Sequence, residues 1–125
     1  IKALLEGISF EMKFNLELLS NAGVEVRTLR AIGGGARNQH WLQIKADIYN
    51  LPIETLNISE AACLGAALLG RKAKENIEDF SSLVNSIIQV KQVYEPNPTN
   101  ANRYLEKYEV YKRLYPALKQ CIFKN

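Results

Sequence analysis

Histidine occurs once in these 125 residues and cysteine only twice, and neither supply is enough for the usual chemistry of such side chains. His40 has no acid placed to partner it, so a nucleophilic serine relay lacks its base. Cys63 and Cys121 lie far apart on expected helices, without a C-x-x-C pair, and a single histidine cannot complete a metal site with them. They read as free thiols in a reducing compartment, which makes a cytoplasmic protein the expectation. No run approaches the 18 or so apolar residues that a membrane span needs. A basic start leading into an apolar core and a small-residue cleavage site is missing as well. An excess of charge of one sign is missing too. Sixteen Lys and Arg against 13 Asp and Glu give a net charge of +3, and the cations are scattered rather than gathered into a basic stripe. Neither a membrane nor a nucleic acid is expected as a partner. No internal repeat or low-complexity tract is present.

Hydrophobic residues make up 47% of the chain and charged residues 23%, the balance of a globular protein. The length suits one core, so residues 1–125 are expected to form a single domain. The chain begins at Ile1 without methionine, directly in a helical pattern, and is expected to be a piece of a longer protein.

Periodicity divides the chain into elements. From Ile1 to about Ala22, Leu4, Leu5, Ile8, Met12, Leu16 and Leu19 recur every three or four residues with Glu6, Lys13 and Glu17 between them, predicting an amphipathic helix that ends at Gly23. Val24 to Ile32 reads as a strand. A second helix is expected from Gln39 to Tyr49, capped by the Asn38 side chain and stopped by Asn50 and Pro52. Leu51 to Leu56 reads as a second strand. Ser59 and Glu60 start a third helix that runs to about Lys74, and its small residues, Ala61 to Ala67, are expected to pack tightly on a sheet. Phe80 to Ile88 predicts a short helix and Val90 to Tyr94 a brief extended segment. A last helix is expected from Thr99 to Ile122, its tyrosines facing the body of the protein. This order gives an α/β class with two neighbouring strands joined by a crossover helix and further helices packed around them. Two strands make a narrow sheet, which strands outside this sequence are expected to complete.

Between the first strand and the second helix stands Gly33-Gly34-Gly35-Ala36-Arg37-Asn38. Backbone without Cβ atoms can adopt positive φ and lets a flat ligand approach closely. The helix that follows aims its unpaired N–H groups at the same place. A plain tight connection explains three glycines equally well at this point. Neither G-x-G-x-x-G nor a Walker lysine is present, so a base or ribose suits the turn better than phosphates do. The carboxylates Asp47, Glu54, Glu60, Glu78 and Asp79 form no catalytic set beside it. Asp47 is expected to face solvent or a neighbouring loop.

The turn, followed by Trp41-Leu42-Gln43-Ile44-Lys45-Ala46-Asp47-Ile48, by Pro52-Ile53 and by Glu60-Ala61-Ala62-Cys63-Leu64-Gly65-Ala66-Ala67, resembles the carboxy-terminal domain of the FGGY carbohydrate kinases. Order and spacing match from about Leu4 to Leu69. Tyr94-Glu95-Pro96 and the tyrosine-rich last helix look like the tail of xylulokinase-like members. The resemblance implies part of an actin-like ATPase fold with ribonuclease-H-like lobes. It also implies that ATP or ADP binds in a cleft and that phosphate passes to a sugar or polyol hydroxyl. Carried over, Gly34 and Gly35 would lie against the adenosine, Gly33 and Ala36 would shape the turn, and Asn38 would reach the nucleotide. The catalytic aspartate, the sugar pocket and the Mg2+ site are expected outside this sequence, which would leave the chain inactive by itself. A homodimer of the longer protein stays open. So do a non-kinase actin-fold ATP-binding protein and a protein-interaction module.

Overall fold

The computed structural model describes residues 1–58 and 60–122. Ser59, expected to cap the third helix, lies outside them. The elements are α1 (Lys2–Asn21), β1 (Leu29–Ala31), a 3₁₀ turn (Gly34–Arg37), α2 (Gln39–Tyr49), β2 (Ile53–Leu56), α3 (Ala61–Glu75), α4 (Phe80–Ile87), β3 (Val90–Tyr94) and α5 (Pro98–Ile122).

Local chemistry accounts for the ends of several elements. Gly23, at φ +86°, takes the left-handed turn after α1. Asn38 caps α2, its Oδ1 accepting from the Trp41 N–H at 3.1 Å, and Asn50 closes that helix in the left-handed conformation. Asp79 caps α4 by accepting from the Ser82 N–H at 2.9 Å.

β2 is the centre of a three-stranded sheet, parallel to β1 with Leu29 opposite Ile53 and antiparallel to β3 with Ile53 opposite Tyr94. The expected strand from Val24 to Ile32 is paired only over Leu29–Ala31. Its partner β2 begins at Ile53 just after Pro52, whose carbonyl takes the Leu29 N–H, so Val24 to Thr28 has no ladder to join. The brief segment at Val90 to Tyr94 is the third strand.

Leu42, Ala46, Ile48 and Tyr49 of α2, with Ile53 and Tyr94 of the sheet, Phe10 of α1, and Tyr104 and Tyr108 of α5, form one core. Each large apolar side chain of this core, removed from water, contributes about 1.5–3 kcal/mol before ordering entropy is counted.

The inward face of α1 differs from the expected one. Leu4, Ile8, Met12 and Leu19 are exposed, while Glu6, Lys13 and Glu17 point inward. Three tyrosines of α5 explain the inversion. Tyr104 donates to Glu6 at 2.9 Å, Tyr108 to Glu17 at 2.9 Å and Tyr111 to Glu11 at 2.8 Å, around the Phe10 ring. The Lys13 ammonium donates to the Ile48 carbonyl at 2.7 Å. A face that carries partners for hydroxyl groups is therefore the buried one.

Burial pushes all three phenols above the usual tyrosine range, and the glutamates they bond push them further. Their protons are held more tightly in the folded chain than in the unfolded one. The stability they contribute is thus complete below about pH 10 and lost as pH rises through the folded values. Burial lowers Lys13 and Lys45, which work in the opposite sense, and pushes Tyr49 up to about 12, which works in the same sense as the three. The urea midpoint is expected to stay level from pH 7 to 9 and to fall above about pH 10. Replacing all three tyrosines with phenylalanine should remove most of that fall. A wild-type midpoint unchanged at pH 11 would contradict the pairing.

α3 does not pack on the sheet as expected. Leu68 is its single buried residue; Ala62, Cys63, Ala66 and Ala67 are exposed, and a Cβ at Gly65 would meet nothing within 4 Å. The core side of the sheet is covered by α2, so α3 pairs instead with α4 around a small apolar hollow lined by Leu64, Leu68, Phe80 and Val84.

Candidate functional site

β1 ends at Ala31 and β2 at Leu56, and the glycine turn rises beyond these carboxyl ends of two parallel strands, the place where open α/β sheets hold ligands. Gly33 stands at φ 75° and ψ −163°, a conformation nearly restricted to glycine, in which a side chain costs about 1–3 kcal/mol. It turns the chain into the 3₁₀ turn, closed by the Ala36 N–H donating to the Gly33 carbonyl at 3.1 Å.

The remaining glycines differ from each other. A Cβ at Gly34 would meet nothing within 4 Å, so this backbone is bare towards open space. A Cβ at Gly35 would come within 3.3 Å of the Trp41 ring. Gly35 is therefore explained by packing, and Gly34 by nothing within the chain.

Two hollows flank the turn. One, of about 480 Å³, is lined by Gly34, Arg37, Asn38, Gln39 and His40. The other, of about 470 Å³, runs from Gly33, Ala36 and Arg37 across the strand ends to Asn57, Lys91 and Gln92. Asn57, Lys91 and Gln92 were not anticipated as neighbours of the turn. Pairing of β2 with β1 brings Asn57 there and pairing with β3 brings Lys91 and Gln92, helped by Asn57, which donates its N–H to the Gln89 carbonyl at 3.0 Å and accepts from the Gln89 N–H at 3.1 Å. Lys91 and Gln92 lie more than 50 residues beyond the turn, a spacing that carries no such signal.

Of the site residues read from the sequence, Gly33, Gly34, Gly35 and Ala36 share the turn, and Asn38 sits at its exit with Oδ1 committed to the Trp41 N–H. The carboxylates other than Glu60 lie elsewhere. Asp47 faces the neighbouring loop, 3% exposed, and accepts from Gln43, the Asn97 N–H and Asn100. Glu54 pairs with Arg30 at 3.0 Å, Glu60 with Arg37 at 3.8 Å, and Asp79 caps α4. His40 is exposed, as are the free thiols Cys63 and Cys121. Among the described residues no group of three or more His, Cys, Asp or Glu is placed to hold a metal ion, and no helix is long and apolar enough to cross a membrane. The geometry offers a bare backbone platform and hydrogen-bonding side chains; His40 lines one hollow, and Glu60, paired with Arg37, is the carboxylate nearest the turn.

The family model described as the FGGY family of carbohydrate kinases, C-terminal domain, matches residues 1–73. A xylulose kinase of Staphylococcus epidermidis is 35% identical over 119 residues, covering 95% of this chain and 24% of that protein. The crystal structure of a xylulose kinase from Brucella ovis superposes with a TM-score of 0.84 at 36% identity, over 95% of this chain and 24% of that one. A Plasmodium falciparum glycerol kinase solved with ADP gives a TM-score of 0.72 at 26% identity, over 99% of this chain and 24% of that one. The chain spans about a quarter of the length of the relatives it matches. Its mixed α/β architecture is that of part of an actin-like ATPase fold. By the family match over most of its length and by its likeness to solved sugar kinases along nearly all of it, this chain belongs to the FGGY family of carbohydrate kinases.

Proposed function

We propose that residues 1–125 are one domain of the ATP-binding lobe of a longer sugar kinase and that the turn Gly33 to Ala36 carries the adenosine of ATP. The bare backbone of Gly34 is the observation that supports this most. Nothing within the chain requires a glycine there, whereas a base or ribose lying flat on the turn does. Asn38 contributes through Nδ2, since its oxygen is committed to the cap. The first turn of α2 adds the positive end of its dipole.

Transfer of the γ-phosphoryl group to a sugar or polyol hydroxyl requires a base and Mg2+, which neutralises charge on the phosphates. No residue of this chain is assigned to either task. The base, the metal ligands and the sugar pocket belong to the rest of the protein, and the chain alone is inactive. Xylulose is the sugar named for two of the relatives above, and a sugar of that class is the proposed acceptor.

Gly34→Val is the variant that tests the platform, because it fills open space without touching Trp41. Titration of the full-length protein with ADP and adenosine is expected to show both binding, with each weakened at least about tenfold by Gly34→Val at unchanged thermal stability. Equal affinity in variant and wild type would overturn the assignment.

A further inference from the structure

Trp41, the chain's one tryptophan, is half-buried and stands outside the core cluster, and it links the glycine turn, through Gly35 and Asn38, to α1 through Ser9. Its backbone N–H is held by the Asn38 cap at 3.1 Å. Its indole Nε1–H donates to the Ser9 hydroxyl at 3.1 Å, and Ser9, fully buried, donates in turn to the Leu5 carbonyl at 2.7 Å. The Lys45 ammonium lies 3.9 Å from the ring centroid, one turn further along α2. Against this fixed ring rests Gly35, so closely that a Cβ there would come within 3.3 Å of the benzo edge. An aromatic ring pinned at its nitrogen and covered by a cation has little freedom to move.

We propose that Trp41 is a positioning residue for nucleotide binding: its indole supports Gly35, and the Ser9 bond couples the placement of α1 to the turn. This rests on the reading of the turn as the adenosine platform. Trp41 touches no substrate in this scheme. It sets the height and tilt of the backbone on which the base lies, so its loss acts on nucleotide affinity and leaves the acceptor sugar and the chemical step alone.

Steady-state kinetics of the full-length kinase test it with Ser9→Ala, Trp41→Leu, Gly35→Ala and the Trp41→Leu/Gly35→Ala double variant. The KM for ATP is expected to rise about threefold in Ser9→Ala and about tenfold in Trp41→Leu, with kcat and the KM for sugar within about twofold of wild type. Gly35→Ala should also raise the KM for ATP. The double variant should be no worse than Trp41→Leu alone, because the ring that the new methyl group obstructs is gone. If Trp41→Leu fails to fold, Ser9→Ala, which keeps the ring and removes only its anchor, decides the matter. Unchanged KM for ATP in a folded Ser9→Ala or Trp41→Leu, or additive effects in the double variant, overturn the role of Trp41 while the platform stands. A wild-type protein that neither binds nor uses ATP overturns both.

Discussion

Tyr108→Ala is expected to lower the unfolding free energy by about 4 kcal/mol, the cost of emptying a large buried aromatic site. The ring is fully buried, lies 5.8 Å from Phe10 and 6.4 Å from Tyr111 between centroids, and has the ammonium groups of Lys13 and Lys112 each 5.0 Å from its centre. Truncation also leaves the Glu17 carboxylate without its 2.9 Å donor. Tyr108→Phe keeps the ring and deletes the donor, so its loss should be smaller, about 1.5–3 kcal/mol. Since a domain has roughly 5–15 kcal/mol in all, the alanine variant should stand near the edge of folding. Urea unfolding of both variants gives the two numbers. Equal losses would place all the energy in the hydroxyl, and a loss below about 1.5 kcal/mol for alanine would mean that α5 does not close on α1 as described.

Removal of Asp47 should come next in effect, at about 3 kcal/mol for Asp47→Ala. Its carboxylate takes three hydrogen bonds, from Gln43 at 2.9 Å, from the Asn97 N–H at 2.8 Å and from Asn100 at 3.0 Å. Through them it ties α2 to the start of α5, where Asn97 itself caps the helix by accepting from the Asn100 N–H at 3.1 Å. Every group facing Asp47 in this cluster is a donor. Asp47→Asn keeps an oxygen for the Gln43 and Asn97 bonds, both made to Oδ1, but sets an amide N–H₂ against Asn100, so it should recover about half of the alanine loss and not all of it. Urea midpoints supply the energies, and amide exchange at Asn97 and Asn100 should speed up in both variants. Wild-type stability in Asp47→Asn would show that shape and not acceptance is what matters.

Where chain chemistry is local, the sequence and the structure agree. α2 spans the expected Gln39–Tyr49 because Asn38 at one end and Asn50 with Pro52 at the other act within a few residues. The glycine turn was legible as a junction for the same reason. Periodicity failed on α1 because it ranks faces by how apolar they are, and the buried face of α1 is chosen by hydroxyls about a hundred residues away. The strand at Val24 was overextended because only the length of β2 limits it. The small residues of α3 permit close packing without naming a partner; α2 takes the core side of the sheet, and α3 buries Leu68 alone. At the site, the bare backbone of Gly34 and the packed backbone of Gly35 look identical as letters, and only the position of Trp41 tells them apart.

The tyrosine-glutamate bonds between α5 and α1 join residues 98, 91 and 100 positions apart. On a ribosome adding about 5–20 residues per second, α1 is made first and waits some 5–20 s before Tyr104, Tyr108 and Tyr111 exist to claim its glutamates. During that interval the Phe10 ring lacks the three tyrosines that pack around it. The last helix is therefore the clasp of this fold, and the nascent chain is most open to misassociation in the seconds before it arrives.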